Sequence, residues 1–468
     1  MNLADLLLDH AATDDVELLI GTAETLTAGV ARARARELAE RLHDEGVKPR
    51  TAVAVQLPDG PEVVVAMTAI WIAGAVFVPL NPRAPAAEVD SALAATRPAA
   101  VLRTSALEKL DAPRSYDDGV AFVTWTSGTT GRPKAILHTH DDYLELIDRV
   151  LAPLARGRDP AKAPTPNLIP VSLAMNAGIY NALFGLRAGA PLVIMQRFDT
   201  ERFAALVRRH GITSTVLPPA AITMLADDES IEDLGPLRYV RSITAPLSPL
   251  GARRFADRFG VTVLNGYGQA ELGEVIGWTA ADARAHPDKI GAVGRPHGGV
   301  DVKIVGDDGR PLPAGEPGEL LVRPPRRAVG YVAGGDLEDR IDDDGFVSTG
   351  DVARVDDDGF VWIEGRRGEA INRGGNKVYP EQVEEVLRLS ARVRDAAVVG
   401  APDRRLGEVP VAFVVGTADR DELEGLCREH LAPFKVPVAF SVVDAIPRSE
   451  IGKVLRRELA ARAAELAR

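Results

Sequence analysis

Helix-like segments and short apolar runs alternate along residues 1–102. Residues 29–43 are helix-like, whereas TAVAVQL at 51–57 and AVFVPL at 75–80 are short runs rich in Val and Ala. Short apolar runs of this kind are typical of strands that are buried on both faces of a parallel sheet. The pattern therefore predicts βα units around a mostly parallel sheet.

Residues 63–80 contain no charged side chain, and their length reaches the lower limit for a membrane span. Thr68 and Gly74 interrupt the run, and its end is rich in β-branched and aromatic residues. This composition predicts a buried helix, a break at the glycine and then a buried strand. The preceding acidic residues, Asp59 and Glu62, also argue against a membrane helix.

The same alternation continues in the middle of the chain. Strand-like runs are LIPVSLA at 168–174, APLVIM at 190–195, ITSTVLPP at 212–219, VRSITAP at 240–246 and VTVLNGYG at 261–268, with helix-like segments at 201–210 and 250–259. From about residue 290, short alternating strands surround Asp-Gly turns, which predicts hairpins. We interpret the Asp clusters at 342–344 and 356–358 as turns rather than metal sites.

A change of composition at residues 365–375, which are dense in Gly and Arg, predicts a hinge. Pro380 then begins an amphipathic helix that carries Val383, Val386 and Leu387 along one side. The residues after the hinge are therefore predicted to form a small α+β domain.

The net charge and the cysteine count argue against several classes of protein. The 55 Lys and Arg residues and 67 Asp and Glu residues leave a net charge of −12, which disfavours a nonspecific binder of nucleic acid or of an anionic membrane. Cys427 is the single cysteine, so no internal disulfide can form. With Asp5 and Asp9 in place of a basic start, we expect no targeting segment and a cytoplasmic location.

A hydroxyl- and glycine-rich loop, TSGTTGRPK at 126–134, follows the strand-like residues 122–125. Its glycines allow close backbone approach, and its N–H groups, hydroxyls and terminal lysine suit a phosphate. The spacing differs from that of a Walker A loop, and by itself the loop could equally be a flexible Ser/Gly turn. The candidate phosphate-binding residues are Thr126, Ser127, Gly128, Thr129, Thr130, Gly131 and Lys134.

This loop resembles the phosphate-binding signature of the adenylate-forming superfamily, which comprises acyl-CoA synthetases, peptide-synthetase adenylation domains and luciferases. Further stretches resemble the family in its order, namely NGYGQAE at 265–271, TGD at 349–351, DGFVWIEGR at 358–366, GGNKVYPEQVE at 374–384 and PRSEIGKVLR at 447–456. The resemblance implies a large N-terminal domain of mostly parallel sheets with a small β-rich subdomain, over residues 1–367. It also implies a small, mobile α+β C-terminal domain, over residues 368–468.

The resemblance assigns NGYGQAE to ATP and Mg²⁺. It places Tyr267 against the adenine, Asn265 at the adenine amino edge and Glu271 on Mg²⁺, a cation that prefers carboxylate and phosphate oxygens. The remaining members of this nucleotide-binding stretch are Gly266, Gly268, Gln269 and Ala270. A strand end followed by a turn is the alternative interpretation.

A second group of residues is implied to hold the ribose. Asp351 is an acceptor-only carboxylate suited to the two ribose hydroxyls, and Arg366 is suited to ribose and phosphate oxygens. Ile363 is expected to pack on the sugar. An ordinary turn aspartate is the alternative for Asp351.

The family's catalytic lysine corresponds to Lys453. An ammonium group that contacts both reactants can orient them and stabilise the charge that grows as a carboxylate attacks the α-phosphate. For the other cations of this region, Lys435, Arg456 and Arg457, we expect surface roles.

In the second step of the family's reaction, a thiol attacks the acyl-adenylate after the C-terminal domain has rotated. Gly368 occupies the hinge position, and Gly374, Gly375 and Asn376 are implied to line a pantetheine channel, with a simple turn as the alternative. CoA is the first candidate acceptor. A freestanding enzyme that loads carrier-protein phosphopantetheine is the second reading, and a degenerate, non-catalytic adenylate-binding protein is the third.

Two residues depart from the family pattern. Ala270 replaces the usual Thr before the metal-binding Glu, so one hydroxyl contact to the α-phosphate is missing. Thr244 stands where a glycine is common. Loss of one donor to developing charge can cost roughly 2–4 kcal/mol of barrier, so a slow enzyme is one expectation.

The acid-binding pocket is implied by residues 170–192. Asn176 falls where amino-acid activators carry Asp, which disfavours an α-amino acid and favours an aryl acid whose ring hydroxyl bonds the amide. Residues expected around a flat ring are Ala177, Tyr180, Val216, Gly266 and Val275. The alternative for Asn176 is packing within a helix.

Three further residues, Arg241, Ile243 and Glu274, fall near this pocket. An inward Glu274 favours a substrate with an amino or other donor group, such as an aminohydroxybenzoate, whereas a solvated glutamate is the alternative. Together the sequence predicts an ATP- and Mg²⁺-dependent ligase that joins a carboxylic acid, aromatic by expectation, to CoA. We expect a monomer or homodimer without nucleic-acid or membrane partners.

Overall fold

The computed structural model describes residues 1–104, 106–126, 134–155, 164–245, 247–332, 337–448 and 454–467. In chain order its strands are β1 (Glu17–Ile20), β2 (Thr25–Thr27), β3 (Ala52–Gln56), β4 (Val76–Pro79), β5 (Ala100–Arg103), β6 (Ala106–Lys109), β7 (Val120–Thr126), β8 (Lys134–Thr139), β9 (Asn167–Ile169), β10 (Leu192–Ile194), β11 (Ser214–Leu217), β12 (Tyr239–Ser242), β13 (Thr262–Gln269), β14 (Gly273–Gly277), β15 (Arg295–Pro296), β16 (Asp301–Val305), β17 (Gly318–Arg323), β18 (Gly330–Tyr331), β19 (Val347–Val355), β20 (Val361–Arg366), β21 (Ile371–Arg373), β22 (Asn376–Val378), β23 (Val393–Asp403), β24 (Gly407–Gly416) and β25 (Ala439–Val442).

The helices are α1 (Asp5–Leu8), α2 (Ala28–Asp44), α3 (Pro61–Ile72), α4 (Ala86–Thr96), α5 (His140–Ala155), α6 (Asn176–Arg187), α7 (Thr200–His210), α8 (Pro219–Asp227), α9 (Pro249–Phe259), α10 (Ala280–Ala285), α11 (Pro380–Leu387), α12 (Arg420–His430) and α13 (Arg456–Leu466). Strands and helices alternate through most of the first 260 residues, which confirms the predicted α/β class.

A seven-stranded sheet in the order β18-β8-β7-β4-β3-β5-β6 forms the centre of the first part of the chain. The strands β7, β4, β3 and β5 run parallel to one another, whereas β8, β18 and β6 add antiparallel edges. The predicted runs at 51–57 and 75–80 supply β3 and β4, and all four residues of β4 are buried. Burial on both faces explains their almost uninterrupted apolar sequence.

The uncharged run at 63–80 forms the predicted helix, break and strand. Nearly every side chain of α3 is buried, and Gly74 turns the chain at φ +68° before β4. Inside this core the Trp71 indole donates a hydrogen bond to the Ala121 carbonyl at 2.7 Å. Across the described parts of the chain, no helix is both long and apolar enough to cross a membrane.

Two further sheets complete the middle of the chain. One has the order β2-β1-β10-β9, and the other has the order β11-β12-β13-β14-β15. In the second sheet β11, β12 and β13 are parallel, so the carboxyl ends of β12 and β13 lie side by side, with Ser242 opposite Asn265. The strand β13 then turns back antiparallel into β14. The predicted nucleotide-binding stretch at 265–271 begins at this edge.

An antiparallel sheet, β16-β17-β19-β20, forms the predicted β-rich part. The Asp clusters at its turns make the hydrogen bonds expected of turns. Asp342 Oδ1 accepts the backbone N–H groups of Asp344 and Phe346, and Asp356 Oδ1 does the same for Asp358 and Phe360. Each of these carboxylates accepts hydrogen bonds from the backbone of its own turn, which stabilises a tight reversal of the chain.

The C-terminal part has its own sheet, in which β22, β21, β24 and β23 follow one another and β25 joins β24, packed with α11, α12 and α13. A short 3₁₀ turn, Arg367–Glu369, connects it to β20. The sheet membership therefore changes across this turn, whereas the division into residues 1–367 and 368–468 stays a prediction. An ion pair at 2.9 Å between Lys377 and Asp307 links the two parts.

The expectation of a surface role for Arg456 is wrong. Its side chain is only 17% exposed and makes ion pairs with Glu369 at 2.6 Å, with Glu381 at 3.1 Å and with Glu384. A guanidinium group in this position ties α13 to α11 and to the 3₁₀ turn that precedes the C-terminal sheet. The sequence hides this role because the three carboxylates lie about 70–90 residues away along the chain.

Wild type is expected to lose folding stability as Glu385 ionises near neutral pH, and replacement of Glu385 by Gln should remove that loss. Burial raises the pKa of Glu385 to about 7. Arg388 lowers this pKa, whereas the carboxylates of Glu364, Glu381 and Glu384 raise it further. The folded chain then binds this proton more tightly than the unfolded chain, so stability falls as pH rises from about 4.5 to about 7. Between pH 5 and pH 8 the urea midpoint of Glu385→Gln should fall less, or rise more, than that of wild type, and equal changes in the two proteins would contradict the assignment.

Candidate active site

A buried carboxylate lies where β13, β19 and β20 meet. Asp351 is only 3% exposed, and its Oδ2 accepts the Tyr267 hydroxyl at 2.5 Å and the Gln269 amide at 3.1 Å. Its Oδ1 lies 3.0 Å from Nε of Arg366, which stands opposite Asp351 in the β19–β20 ladder. Four predicted nucleotide-binding residues are therefore in mutual contact.

The protonation of this cluster suits a nucleotide. Burial and the negative charge of Asp351 raise the pKa of Tyr267 well above its ordinary value, so the phenol remains a hydrogen-bond donor. Asp351 is an acceptor that already gathers hydroxyl and amide donors, and ribose hydroxyls are donors of the same kind. Ile363 packs against the same apolar cluster as Tyr267, and its contact with the sugar stays a prediction.

Glu271 forms a second buried carboxylate site. It is 9% exposed, and its Oε1 accepts the Tyr331 hydroxyl at 2.9 Å. Arg340 Nη1 lies 3.6 Å from the same oxygen, and Arg340 also donates to Gln269 Oε1 at 2.8 Å. Through Gln269 and Arg340, the predicted metal-binding carboxylate is connected to the predicted ribose site.

The two ends of the predicted phosphate loop are paired with each other, and one of them lies near Tyr331. Thr126 pairs with Lys134 at the end of the β7–β8 ladder, and Lys134 Nζ lies 5.1 Å from the ring centre of Tyr331. Ser127, Gly128, Thr129, Thr130 and Gly131 lie outside the described residues. Lys134, which follows the loop, therefore lies near Tyr331, and Tyr331 in turn contacts Glu271.

Tyr331 and Arg340 are site residues that the sequence analysis missed. Tyr331 lies in the two-residue strand β18, which reaches the site only by pairing with β8, opposite Ile136. Arg340 ends a 3₁₀ turn, Glu338–Arg340. Neither residue belongs to a recognisable motif. The sequence features that could have indicated them are weak, because Tyr331 merely follows a glycine and Arg340 merely stands beside acidic residues.

Close backbone packing shapes the β13–β14 hairpin. A Cβ atom on Gly268 would overlap the Gly273 carbonyl, and Gly273 has φ +68°, so both positions require glycine. Ala270 lies in the turn between the strands, where its methyl group supplies no hydrogen-bond donor. Asn265 Oδ1 accepts the N–H of Gly266 at 3.2 Å, which leaves the side-chain amide nitrogen as the donor for a ligand.

Asn176 is the first residue of α6. Its Oδ1 accepts the Tyr143 hydroxyl at 2.8 Å, which leaves the second lone pair of this oxygen and the amide N–H groups for a substrate. Gly178 allows this end of the helix to pack directly against the backbone of Ser172, since a Cβ atom there would overlap it. Asn176 can therefore pack within the protein and contact a substrate at the same time.

The other predicted ring contacts differ in their surroundings. Ala177 and Tyr180 are buried on α6, and Val216 is buried near the end of β11. Val275 is completely enclosed in an apolar cluster with Leu272 and other residues of the β-rich part, so its side chain packs into that core. We retain the first three as the stronger candidates for contact with the acid.

The alternative of a solvated Glu274 is wrong. Glu274 is 8% exposed and forms an ion pair with Arg241, while His297 Nε2 lies 3.1 Å from its Oε1. Burial opposes ionisation, but Arg241 and His297 outweigh it and lower the pKa of Glu274. The carboxylate is thus ionised and turned inward. Ile243 lies next to it, because a Cβ atom on Gly266 would contact both side chains.

Replacement of Thr244 by Gly is expected to stabilise the chain by up to about 1 kcal/mol. Thr244 has φ +83°, a left-handed conformation that costs a β-branched residue about 1–2 kcal/mol, partly offset by the entropy cost of glycine. Urea unfolding measures the change. Thr244→Ala keeps the Cβ atom and should gain less, and equal gains for the two variants would exclude backbone strain as the cause.

The predicted hinge and thiol channel have clear local structures. Gly368 lies in the 3₁₀ turn with open space where a Cβ atom would be, so neither conformation nor packing requires glycine there. Gly374 and Gly375 have φ +57° and +88° and turn β21 into β22, where Asn376 pairs with Arg373. The turn geometry accounts for both glycines, and their contact with a pantetheine arm stays a prediction.

Lys453 lies outside the described residues. The ends of its segment are close together, because Arg448 and Val454 pair as an isolated antiparallel bridge. Val454 lies two residues before Arg456, which begins α13.

Comparison with known proteins places this geometry in context. The AMP-binding enzyme model matches residues 8–117 and 108–332, and the AMP-binding enzyme C-terminal domain model matches residues 382–453. The chain is 32% identical to 4-coumarate–CoA ligase 5 of Oryza sativa subsp. japonica, covering 95% of this chain and 90% of the relative. It is 33% identical to a feruloyl-CoA synthase of Amycolatopsis sp., covering 94% of each.

A solved structure shows the same fold. The o-succinylbenzoate CoA synthetase of Bacillus subtilis, in complex with its acyl-adenylate intermediate, is 25% identical and superposes with a TM-score of 0.84 over 97% of each chain. The matches span both parts of the chain, including the β13–β14 hairpin and the C-terminal sheet.

Proposed function

Because the chain belongs to the AMP-binding enzyme family of AMP-forming acid–CoA ligases, we propose that it activates an aromatic carboxylic acid with ATP and transfers the acyl group to the CoA thiol. The observation that carries this proposal is the contact of Asp351 with Tyr267, Gln269 and Arg366 beside the buried Glu271. The proposed ribose and phosphate sites are then connected through Gln269 and Arg340.

In the first step, a carboxylate oxygen of the acid attacks the α-phosphate of ATP and pyrophosphate leaves. The acid needs no general base, because a carboxylate is already ionised at neutral pH. Asp351 and Tyr267 orient the nucleoside, while Lys134 supplies positive charge at the end of the phosphate loop. Lys453 is assigned to the reacting centre, where its ammonium stabilises the charge on the transferred group.

Glu271 fits a magnesium ion. It is a buried carboxylate whose Oε1 is oriented by the Tyr331 hydroxyl, and Mg²⁺ is commonly held by one or two carboxylates together with substrate phosphates. Bound there, the ion would neutralise phosphate charge. Arg340 approaches the same carboxylate and adds a second source of positive charge.

In the second step, the CoA thiol attacks the acyl carbon, a thioester forms and AMP leaves. The β21–β22 turn, with Gly374, Gly375 and Asn376, is assigned to the pantetheine channel, and Gly368 to the hinge. A carrier-protein pantetheine ends in the same thiol arm, so detection of an acyl-CoA by chromatography, set against a mass shift of a carrier protein, distinguishes the two acceptors.

An aromatic acid is supported by the pocket and by the relatives. Tyr180, Ala177 and Val216 supply flat or small apolar surface, and the named substrates of the two relatives, 4-coumarate and ferulate, are aromatic acids. In an ATP–pyrophosphate exchange assay we expect benzoates and hydroxycinnamates to exceed α-amino acids and long-chain fatty acids. Strong exchange with only an amino acid or a fatty acid would reject the aromatic assignment.

A further inference from the structure

The two oxygens of the Glu274 carboxylate are used unequally. Arg241 and His297 both bind Oε1, whereas Oε2 is enclosed and has no hydrogen-bond partner among the described residues. An ionised carboxylate can only accept hydrogen bonds, and a buried acceptor without a donor is costly. Because native interiors satisfy most such groups, this oxygen calls for a partner that the described part of the chain does not supply.

The Glu274 carboxylate lies beside other residues of the predicted acid pocket. It packs against Gly266 and Ile243, since a Cβ atom on Gly266 would be 3.1 Å from Oε1 and 3.5 Å from Ile243 Cγ2. Within the part of the chain that the structure describes, the hydroxyl of Tyr180 is also enclosed and has no hydrogen-bond partner. The charges of Glu274 and Arg241 both act on that hydroxyl, which places the two unpaired groups in one neighbourhood.

The charge balance restricts what can meet this oxygen. Arg241 already supplies one positive charge to the single negative charge of Glu274. Arg149, which also faces this region, has Glu145 as its own carboxylate at 4.0 Å. A second cation would therefore bring an uncompensated charge into a buried site, whereas a neutral hydroxyl or aryl amine would not.

We propose that Glu274 is a specificity-determining residue that selects acids carrying a neutral hydrogen-bond donor, an aromatic hydroxyl or amino group, which donates to Oε2. This inference rests on the proposed function, because it takes the acid to bind beside Gly266. Arg241 and His297 hold the carboxylate in place, and the substrate completes its hydrogen bonding.

The test compares pairs of benzoates that differ only in one ring substituent, hydroxyl or amino against methyl, at each ring position. For wild type, kcat/KM for exchange should favour the donor-bearing acid by about 10- to 100-fold at one ring position. Glu274→Gln keeps an oxygen for Arg241 and His297 and places an NH₂ group where Oε2 was. That variant should lose the preference and gain activity toward the methoxybenzoate of the same position.

Three outcomes would overturn the inference. If wild type uses both members of every pair equally well, the inference fails, whether or not the variant folds. An unchanged preference in a folded Glu274→Gln, judged by its thermal unfolding, is the second. The third is loss of the preference in Tyr180→Phe, which would make the Tyr180 hydroxyl the selecting group.

The same design separates this inference from the aromatic assignment. If benzoates are poor substrates but aliphatic acids are exchanged, the comparison is repeated with ω-hydroxy acids and alkanoic acids of matched length. A donor preference that depends on Glu274 would then support the role of Glu274 while the aromatic assignment fails. Good exchange of benzoates without any donor preference would give the opposite result.

Discussion

Replacement of Lys453 by Ala is expected to reduce acid-dependent pyrophosphate release by about 10²- to 10³-fold or more, with ATP binding retained. The ammonium acts on charge that develops only as the acid and the α-phosphate join, so its removal should lower kcat rather than nucleotide affinity. The Asp351 cluster, which is assigned to the nucleoside, is untouched by this change. Exchange kinetics and equilibrium binding of a fluorescent ATP analogue measure the two quantities.

The matched control is Lys435→Ala, in the same C-terminal part of the chain. Lys435 Nζ donates to Gln382 Oε1 at 2.6 Å and is assigned no contact with the reactants. It should leave the exchange rate within a few-fold of wild type. An intact rate in Lys453→Ala, or equal losses in both lysine variants, would show that the assignment of the catalytic cation is wrong.

Replacement of Arg456 by Met should lower the free energy of unfolding by about 3–5 kcal/mol. The change removes a cation that pairs with all three of Glu369, Glu381 and Glu384, and removal of one partner from a buried ion-pair cluster is strongly destabilising. Met fills much of the same volume, so lost packing contributes little. Urea unfolding followed by circular dichroism measures the effect.

A surface arginine of the same region provides the comparison. Arg428 pairs with Glu424 within α12 but is 69% exposed, and exposed pairs of this kind contribute about 0–1 kcal/mol. Arg428→Met should therefore leave the unfolding midpoint almost unchanged. Similar losses in the two variants would mean that the carboxylate cluster around Arg456 is not the source of its stability.

Elements with strong local patterns could be predicted from the sequence. The runs at 51–57 and 75–80 become β3 and β4, and the uncharged run between them becomes α3, because continuous apolar composition at strand length suits an element buried on both faces. The order of strands could not be predicted in the same way. β18 joins the edge of the seven-stranded sheet through a pairing with β8 that spans almost two hundred residues.

The candidate site divides along the same line. Tyr267, Glu271, Asp351 and Arg366 stand in motifs whose residue types suit a nucleotide and a cation, so they could be identified before the fold was known. Tyr331 stands in no such motif. It takes part because tertiary pairing brings its hydroxyl to Glu271, a contact between residues 60 positions apart.

The sequence by itself determined the class of fold, the family and the chemistry that its motifs can perform, because each depends on residue types at short spacing. Only the tertiary structure decided which charges are buried and what they contact. The residues that neighbour Glu274 and Arg456 in the sequence do not reveal their ionic partners. Glu274 pairs with Arg241, and Arg456 pairs with three glutamates, through segments that meet only in the folded chain. The cost of burying a charge depends on those partners, and local sequence does not contain them.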